Sequence, residues 1–374
     1  MTKWFFLLSS MNVGGVEKAF LGILSTLSPK DNDVHLGLLQ KKGGFLEDIP
    51  EWVQIHEVSV YQPYWRQIND PPMWHIQQQL SLLHWGDAFI HLVLYALFKL
   101  TGSQYWFYRW LLRKEPMMNE EYDIAVAFAG PSQMIDYYIC EKVNAKKKYG
   151  WIHFDISRFG IDRGMTRRLY RQYEKIFVVS QEARDIFCRI FPELAGKTEV
   201  FYNIVNFDLI RHLSESAPTF NDGFTGNRLL TVGRISPEKG QQIAVHAMKQ
   251  IIDKHPKTRW YFVGEGKSME ACQALVHKEG LDEVVVFLGL QKNPYGYMRD
   301  CDLYVQPSRH EGYCITLAEA LSFNKPVVVT GFSGAREQLV GKSDAWIADF
   351  SPDSLAARIN DALLFLDYHS TDKN

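Results

Sequence analysis

The sequence contains no stretch of about 18 uncharged apolar residues, roughly the length that a membrane-spanning helix needs. We therefore predict no transmembrane helix. The apolar run at residues 4–8 is too short for a signal peptide and no cleavage-site pattern follows it, so we expect a buried first strand. A strong charge excess is also missing. The net charge of −2 argues against a nucleic-acid partner, because general nucleic-acid binders carry a basic excess.

Cysteine is scarce, and the chain shows no internal repeat and no low-complexity segment. The five cysteines are Cys140, Cys188, Cys272, Cys301 and Cys314. Their number is odd, and no two have the spacing of a metal site or a redox pair. We expect buried thiols in a reducing compartment.

What is present is a globular composition, with 46% hydrophobic and 22% charged residues, and a length of 374 residues that indicates two domains. Short apolar runs alternate with helical patterns, which predicts doubly wound parallel sheets in an α/β protein. The predicted strands are 4–8, 34–39, 123–128, 176–179, 229–232, 260–263, 284–288, 303–306 and 326–329. The clearest predicted helices are 16–27, 181–190, 240–254 and 268–279.

A segment rich in Ser, Pro, Asn and Gly, residues 206–227, interrupts this alternation and indicates a linker. It divides the chain into an N-terminal domain, 1–205, and a C-terminal domain, 206–374. In open parallel sheets, ligands bind at the carboxyl ends of the strands. We therefore expect a ligand cleft between two facing sheets.

The first motif with chemical potential is a loop that follows the predicted strand 229–232. It begins with Gly233 and carries two cations, Arg234 and Lys239. A guanidinium offers a planar fork of donors and an ammonium a mobile point charge, a combination that suits a diphosphate. Taken alone, the pair would be two solvated loop cations.

The second motif is the loop after residue 306, which carries Glu311 and leads into a helix near Cys314. Free N–H groups at the start of a helix form an anion site. Glu319 follows about one and a half turns into that helix, where its carboxylate could accept hydrogen bonds from two ribose hydroxyls. Glu311 could accept them from sugar hydroxyls. Taken alone, the two side chains would equally be a capping carboxylate and an exposed helical glutamate.

Weaker signals accompany these motifs. The Gly-x-Gly at 264–266 lacks the third glycine of a dinucleotide fingerprint, so we predict no nicotinamide site. In the N-terminal half, glycines 14 and 15 follow the first strand and allow a close approach of the backbone to a ligand. His153 follows an apolar stretch, although a lone histidine is more often structural than functional.

Together these features resemble glycosyltransferase family 4, whose members have the GT-B fold of two facing Rossmann-like domains with an interdomain cleft. The resemblance spans nearly the whole chain. It is most specific at Pro-Ser-x-x-Glu-Gly-Tyr, which contains Glu311 and has Glu319 downstream, and at Gly-Arg-x-x-x-x-Lys-Gly over residues 233–240. It implies an N-terminal acceptor-binding domain and a C-terminal domain that binds a nucleotide sugar, with a last helix able to pack back on the N-terminal domain.

The resemblance also implies site residues. The catalytic residues would be His153, Arg234, Lys239 and Glu311, and the donor-binding residues would be Gly15, Gly233, Cys314, Ile315, Thr316 and Glu319. In this scheme the two cations neutralise the donor diphosphate, Glu319 holds the ribose and Glu311 orients the sugar. The amides of residues 314–316 meet the distal phosphate, Gly15 approaches the diphosphate from the other domain, and His153 lies near the donor sugar. Glu337 is a further match without an assigned role.

Two departures from the family pattern bear on donor preference. Cys314 stands where many members have glycine or proline, and residues 330–334 read Thr-Gly-Phe-Ser-Gly instead of Asp-x-x-Gly-Gly. An Asp-x-Asp at residues 31–33 lies in a predicted polar turn far from the motifs. We therefore expect no metal and no cofactor, and the resemblance implies transfer with retention of the anomeric configuration. UDP- and GDP-sugars both remain open as donors, the UDP form being favoured.

The sequence thus predicts a retaining hexosyltransferase that moves a sugar to a saccharide acceptor, in bacterial surface polysaccharide or glycolipid synthesis. One alternative is an inactive sugar-nucleotide-binding scaffold, against which the four charged donor residues argue. Another is a GT-B phosphorylase or epimerase.

An aromatic segment, residues 71–113, and a basic segment that follows it indicate a lipid-linked acceptor. The aromatic side chains are Trp74, Trp85, Phe89, Tyr95, Phe98, Tyr105, Trp106, Phe107, Tyr108 and Trp110. The cations are Lys142, Lys146, Lys147, Lys148, Arg158, Arg163, Arg167, Arg168 and Arg171. Trp and Tyr favour the headgroup boundary, and cations favour anionic lipid. We expect a cytoplasmic protein, peripheral on the inner face of the cytoplasmic membrane, unless the aromatics simply build the core.

Overall fold

The structure is a computed structural model that describes residues 1–58, 63, 64, 66, 68, 70, 85–157 and 160–371. The chain forms two compact units, Met1–Tyr202 and Asn203–Asn374. Each unit has its own parallel sheet covered by helices and its own buried core. The predicted α/β class is therefore confirmed.

The first unit contains a seven-stranded parallel sheet in the order β3-β2-β1-β4-β5-β6-β7. Its strands are β1 (Thr2–Leu8), β2 (Asn32–Leu38), β3 (Gln54–Glu57), β4 (Glu121–Gly130), β5 (Asn144–Ile152), β6 (Lys175–Val178) and β7 (Thr198–Val200). Its helices are α1 (Gly15–Leu24), α2 (Trp85–Thr101), α3 (Tyr105–Leu111), α4 (Gln133–Lys142), α5 (Arg163–Tyr170) and α6 (Gln181–Ile190). The run Phe5–Phe6–Leu7–Leu8 is buried throughout, because helices cover both faces of a central parallel strand.

The second unit contains a six-stranded parallel sheet in the order β10-β9-β8-β11-β12-β13. Its strands are β8 (Asn227–Val232), β9 (Thr258–Val263), β10 (Val285–Phe287), β11 (Leu303–Gln306), β12 (Val327–Thr330) and β13 (Ala345–Ala348). Its helices are α7 (Phe207–Glu215), α8 (Gln241–Lys254), α9 (Met269–Glu279), α10 (Tyr295–Asp300), α11 (Ile315–Leu321), α12 (Ala335–Gln338) and α13 (Pro352–Thr371).

The strand order of the second sheet determines where its loops meet. Connections run outward in one direction from β8 through β9 to β10, and in the other from β11 to β13. The order reverses between β8 and β11, and the loops that leave the carboxyl ends of two strands diverge at such a switch point. The two loops that carry the predicted donor motifs follow these two strands.

All nine predicted strands and all four predicted helices are present, with ends that differ by up to three residues. Four strands escaped prediction: β3, β5, β7 and β13. The first half of β5 carries Lys146, Lys147 and Lys148, whose charges hide the apolar pattern of a strand. β3 and β7 have only four and three residues, too few to show a period.

The predicted linker 206–227 is wrong in its first half, because residues Phe207–Glu215 form α7. The helix begins at Asn206, whose Oδ1 accepts the amide hydrogen of Leu209 at 3.0 Å, as an N-cap asparagine does. The last helix, α13, buries Leu355, Ile359 and Leu363 in the core of the second unit. These contacts place it with the second sheet.

Candidate donor site

The two motif loops of the second unit are joined through their backbones. The amide of Arg309 donates to the carbonyl of Glu238 at 2.8 Å. Gly240 has φ of +72°, and a Cβ atom there would lie 1.9 Å from the carbonyl oxygen of Pro307. Only glycine meets both requirements, a left-handed backbone and this close approach. Gly240 therefore fixes the cationic loop against the loop that carries Glu311.

Across this junction, the structure brings two predicted site residues into contact. Lys239 Nζ lies 2.6 Å from Glu311 Oε1, and the two side chains are only 23% and 9% exposed. Burial alone would lower the pKa of Lys239, but the neighbouring carboxylate outweighs it and the pKa is raised. Lys239 therefore remains a cation at neutral pH. An ammonium has three N–H donors, so it can hold Glu311 and a second anionic group together.

Arg234 lies on the same loop, and its side chain is exposed. The Gly-x-Gly at 264–266, to which the sequence assigned no role, packs against this loop. A Cβ atom on Gly264 would lie 2.0 Å from the carbonyl oxygen of Gly233, and one on Gly266 would lie 2.2 Å from that of Ile235. These glycines allow backbone packing against the Arg234 loop, which is a structural role that needs no nucleotide.

The helix α11 begins after Cys314, which has φ of +56° and ψ of +74°. This left-handed conformation is unfavourable for a residue with a Cβ atom. Burial raises the pKa of the Cys314 thiol, so it remains protonated, and its Sγ lies 3.5 Å from Thr316 Oγ1. The amides of Ile315 and Thr316 belong to the first turn, where no intrahelical carbonyl is available to them.

Glu319 is on the same helix but in a different environment from the one that the sequence indicated. Its side chain is buried, and Oε1 accepts a hydrogen bond from the hydroxyl of Tyr295 at 2.9 Å. Tyr295 begins α10, which precedes β11 in the chain. The sequence gave no sign of this partner, because a single tyrosine carries no spacing signal. Glu337, the match without an assigned role, is partly buried on α12.

The remaining two predicted residues belong to the first unit. Gly15 is exposed at the first turn of α1, and a Cβ atom there would meet nothing within 4 Å. His153 follows β5 and packs on Phe128, with 4.6 Å between ring centroids. Burial lowers the pKa of His153 to about 3, with a hydrogen bond to the Phe128 backbone acting weakly the other way. Its buried Nε2 has no hydrogen-bond partner among the described residues.

Within the described ranges, no group of three or more His, Cys, Asp or Glu side chains could hold a metal ion. Asp33, the second aspartate of the Asp-x-Asp, lies in β2 and not in a turn, and its Oδ2 is 3.3 Å from His35 Nε2.

The chain contains two α/β units, each built on a parallel sheet, and a loop with two cations lies at the switch point of the second sheet. This is the architecture of a GT-B protein. Among solved structures with this fold, the chain is similar to Anabaena HepE in complex with UDP-glucose, with a TM-score of 0.67 and 20% identity over 97% of this chain and 90% of that one. It is also similar to S. aureus TarM, with a TM-score of 0.64 and 13% identity over 99% and 94% of the two chains. The predicted GT-B fold is confirmed.

The family follows from the second unit. Residues 221–365 match the model of glycosyl transferases group 1, so the resemblance to this group is confirmed and the second unit is a group 1 glycosyl transferase domain.

Two curated relatives indicate the range of this group. The first is an uncharacterized glycosyltransferase of Methanocaldococcus jannaschii, 31% identical over 46% of this chain and 43% of that protein. The second is the Campylobacter jejuni N-acetylgalactosamine-N,N'-diacetylbacillosaminyl-diphospho-undecaprenol 4-alpha-N-acetylgalactosaminyltransferase, 30% identical over 47% of each. The chain spans about half the length of the curated relatives it matches.

Proposed function

We propose that this protein is a retaining glycosyltransferase that takes a hexosyl group from a nucleotide-diphosphate sugar. The observation that carries the proposal is the buried contact between Lys239 and Glu311, which joins the two motif loops at the switch point of the second sheet. A fixed ammonium beside a fixed carboxylate can bind a phosphate and orient a sugar hydroxyl at adjacent points. Arg234, exposed on the same loop, supplies the second cation.

Each site residue has a role in this proposal. Arg234 and Lys239 neutralise the charge that develops on the diphosphate as its bond to the sugar carbon breaks. Glu311 accepts a hydrogen bond from a sugar hydroxyl. Glu319 holds the ribose with the carboxylate that Tyr295 orients. The first-turn amides of α11 meet the distal phosphate, an assignment that rests on family resemblance, because this helix has only seven residues.

The family resemblance assigns two residues of the first unit, His153 and Gly15, to the donor. An unpaired polar atom in a buried position costs free energy, about 1–3 kcal/mol. Nε2 of His153 is such an atom, and a donor-sugar hydroxyl would satisfy it. The low pKa of His153 keeps the ring neutral at physiological pH, so it can act as a hydrogen-bond partner without adding charge. Gly15 offers an exposed backbone at a helix start, where no side chain blocks a phosphate.

We infer that transfer proceeds with retention. The acceptor hydroxyl oxygen bonds to the anomeric carbon on the face from which the nucleoside diphosphate departs, and the leaving phosphate oxygen takes the hydroxyl proton. Oε1 of Glu311 already accepts hydrogen bonds from Lys239 and Ser308, which occupy this oxygen and disfavour a role as a nucleophile. The two cations can stabilise the leaving group without a metal ion.

The acceptor is proposed to be a lipid-linked saccharide, which is the acceptor in the name of the Campylobacter relative. The first unit offers a surface that suits a lipid headgroup layer. Seven large apolar side chains of α2 and α3 are exposed: Trp85, Phe89, Ile90, Leu92, Val93, Leu100 and Trp106. Four of them recur at the spacing of one helix face, so they form a continuous strip. No helix within the described ranges is long and apolar enough to cross a membrane.

The structure divides the predicted aromatic segment into two groups. Tyr105 and Tyr108 are buried in the first core, and Phe107 and Trp110 pack against it, so the core interpretation is right for these four. Trp74 lies outside the described residues. The exposed strip on α2 is the group that remains available for a membrane.

The predicted basic cluster also divides, because β5 lies between its two halves. Lys146 and Lys147 at the start of β5 pair with Asp123 and Glu174, and Lys148 donates to a backbone carbonyl. The arginines of α5 follow the other end of the strand, and Lys148 lies four residues, roughly 13 Å, from that end. Arg158 lies outside the described residues. The lysines are therefore withdrawn from the proposed membrane contact.

The α5 arginines other than Arg167, whose Nε pairs with Glu193 Oε1 at 2.5 Å, remain in it, because α5 adjoins the exposed strip. Asp162 caps α5 by accepting the amide of Met165, and its second oxygen accepts the amide of Gln104 at 2.5 Å, just before α3. Arg168 stacks 3.8 Å from the Tyr105 ring centroid. An apolar strip edged by arginines matches the apolar and anionic layers of a bilayer surface.

A panel of sugar nucleotides tests the donor proposal. A donor that binds the folded protein raises the unfolding midpoint, and at equal concentration a donor of higher affinity raises it more. We expect UDP- or GDP-sugars to stabilise the protein, and the best of them to be transferred to a lipid-linked saccharide with EDTA present. The product's anomeric coupling constant, read by NMR, reports retention. Inversion, or a requirement for Mg²⁺ or Mn²⁺, would contradict the mechanism. Donor binding without transfer or hydrolysis would favour the scaffold, and interconversion without acceptor the epimerase.

Liposome sedimentation tests the membrane proposal separately. We expect binding to vesicles with anionic lipid at low salt, reduced by Phe89→Ser. Leu364→Ser is the matched control, since Leu364 is 60% exposed on α13 of the second unit and Phe89 is 65% exposed. Equal binding of both variants would place the contact elsewhere, and no binding by the unaltered protein would favour a soluble acceptor.

A further inference from the structure

Behind Glu311 lies a chain of buried polar side chains that the proposed function does not yet use. Tyr304, Gln306 and Ser308 alternate along the end of β11 and the loop after it, and each is no more than 1% exposed. The Tyr304 hydroxyl donates to Gln306 Oε1 at 2.7 Å, and Gln306 Nε2 donates to Ser308 Oγ at 2.8 Å. Ser308 Oγ then donates to Glu311 Oε1 at 2.6 Å.

The direction of this chain is set by its first member. Burial raises the pKa of the Tyr304 hydroxyl far above its usual range, so it remains a donor. Because this hydroxyl donates, the Gln306 amide must turn its oxygen Oε1 toward Tyr304. The hydroxyl of Thr316 donates to the same oxygen at 3.4 Å, which supports this orientation of the amide. The amide nitrogen then faces Ser308. A reversed amide would use the hydrogen of Ser308 for itself and leave none for Glu311.

This series of hydrogen bonds leaves the two carboxylate oxygens of Glu311 with different numbers of hydrogen-bond donors. Oε1 receives hydrogen bonds from Ser308 and Lys239, both at 2.6 Å, and a long one from Gln306 Nε2 at 3.5 Å. None of the hydrogen bonds found in the described residues involves Oε2. A saturated Oε1 and a backbone held by β12, where the Thr330 hydroxyl donates to the Ser308 carbonyl, restrict the carboxylate to one orientation.

We propose that Gln306 and Ser308 are positioning residues, which orient Glu311 so that Oε2 alone meets the donor sugar. This inference rests on the proposed function. Interactions that strengthen in the transition state raise kcat, whereas those equal in both states change only KM. A rotated Glu311 would misplace its contact with the reacting sugar and leave the diphosphate contacts of Arg234 in place. Ser308 and Gln306 should therefore act on kcat and not on the binding of a nucleoside diphosphate.

The test is a double-mutant cycle between Ser308→Ala and Glu311→Gln, with kcat for transfer and the Kd of the nucleoside diphosphate measured for each protein. We expect Ser308→Ala to lower kcat about tenfold to a hundredfold, the effect of one hydrogen bond to a charged acceptor. The Kd should change less than twofold. In the Glu311→Gln background the same substitution should change kcat less than threefold, because residues that act through each other are not additive.

A buried serine outside this series of hydrogen bonds provides the control. Ser214 is 3% exposed and its hydroxyl donates to the Arg211 carbonyl at 2.7 Å, so Ser214→Ala also removes one buried hydrogen bond. It should leave kcat unchanged. Circular dichroism and unfolding midpoints confirm folding, and Ser308→Thr, which keeps a hydroxyl, is the second variant if the alanine protein is unstable.

Each outcome decides between the proposals. Equal losses of kcat in both Glu311 backgrounds, a parallel rise in Kd, or unaltered kcat in Ser308→Ala would overturn the positioning role while the enzyme itself remains active. A failure of the unaltered protein to transfer or hydrolyse any sugar nucleotide would instead contradict the proposed function.

Discussion

Replacement of Lys239 by methionine should damage both stability and activity, because this lysine is half of a largely buried ion pair. Methionine retains the apolar stem but removes the charge, and Glu311 then remains 9% exposed with no cation beside it. Removal of one partner of a fully buried pair costs about 3–5 kcal/mol. Lys239 is 23% exposed, so we expect a smaller loss of unfolding free energy, roughly 2–3 kcal/mol after allowance for this solvent access.

Arg234→Met is the matched control, since it removes the other cation of the same loop from an exposed position. Surface substitutions usually change the free energy of unfolding by less than about 0.5 kcal/mol. Both variants should slow transfer about a hundredfold, the loss of about 3 kcal/mol of transition-state stabilisation. Stability therefore separates the two residues, and activity does not.

The double variant Lys239→Met/Glu311→Gln tests the cause of the instability. A neutral amide in place of the carboxylate removes the unpaired charge, so most of the lost stability should return while transfer remains at least about a hundredfold slower. Unfolding by urea, followed by tryptophan fluorescence, and steady-state kinetics with the preferred donor provide the two measurements. A Lys239→Met protein as stable as Arg234→Met would falsify the energetic importance of the ion pair, and near-normal transfer would remove Lys239 from the donor site.

Substitutions at four further positions have distinct expected outcomes. Gly15→Ala should fold normally, because a Cβ there meets nothing within 4 Å, yet weaken donor binding; Gly240→Ala should lower the unfolding midpoint, because its Cβ would strike the Pro307 carbonyl. The folded-state pKa of His153 is about 3. The neutral ring therefore contributes stability that is fully present above about pH 6.5 and is lost as the pH falls toward 3, by up to about 1.4 kcal/mol per pH unit. His153→Gln should remove this part of the pH dependence of urea unfolding. Cys314→Val should be less stable than Cys314→Gly by at least about 1 kcal/mol, since φ is +56°; equal midpoints would contradict the strain.

The sequence was informative where chemistry restricts the residue type. Arg234, Lys239 and Glu311 were selected as candidates because few side chains can bind a diphosphate and a sugar from two strand-to-helix loops, and the structure places Lys239 and Glu311 in contact. The long apolar strands were predictable for a similar reason, since a central parallel strand such as Phe5–Leu8 is covered on both faces. Strand β5 was not, because its lysines find partners at the sheet edge and do not disturb the apolar half that follows.

Contacts between distant residues were beyond the reach of the sequence patterns. The partners of Glu311 include a lysine 72 positions away, and that separation carries no period. The sheet order supplies the contact by placing β8 beside β11, so that the loops after the two strands meet. Gln306 and Ser308 have no charge and no distinctive spacing, and Tyr295 stands 24 residues from Glu319. The proposed positioning residues therefore follow from the fold, whereas the candidate ligand-binding residues follow from the chemistry of their side chains.

The Gly-x-Gly at 264–266 shows why motif chemistry and fold must be considered together. By pattern, two glycines after a strand indicate a phosphate contact, because they expose backbone amides. In the fold, the missing side chains are required by the carbonyls of Gly233 and Ile235, which would lie about 2 Å from any Cβ. The amide of Ile235 in turn donates to the Glu265 carbonyl at 2.9 Å. The glycines thus support the loop that carries Arg234 from behind, and substitution there would move a cation of the donor site without touching the donor.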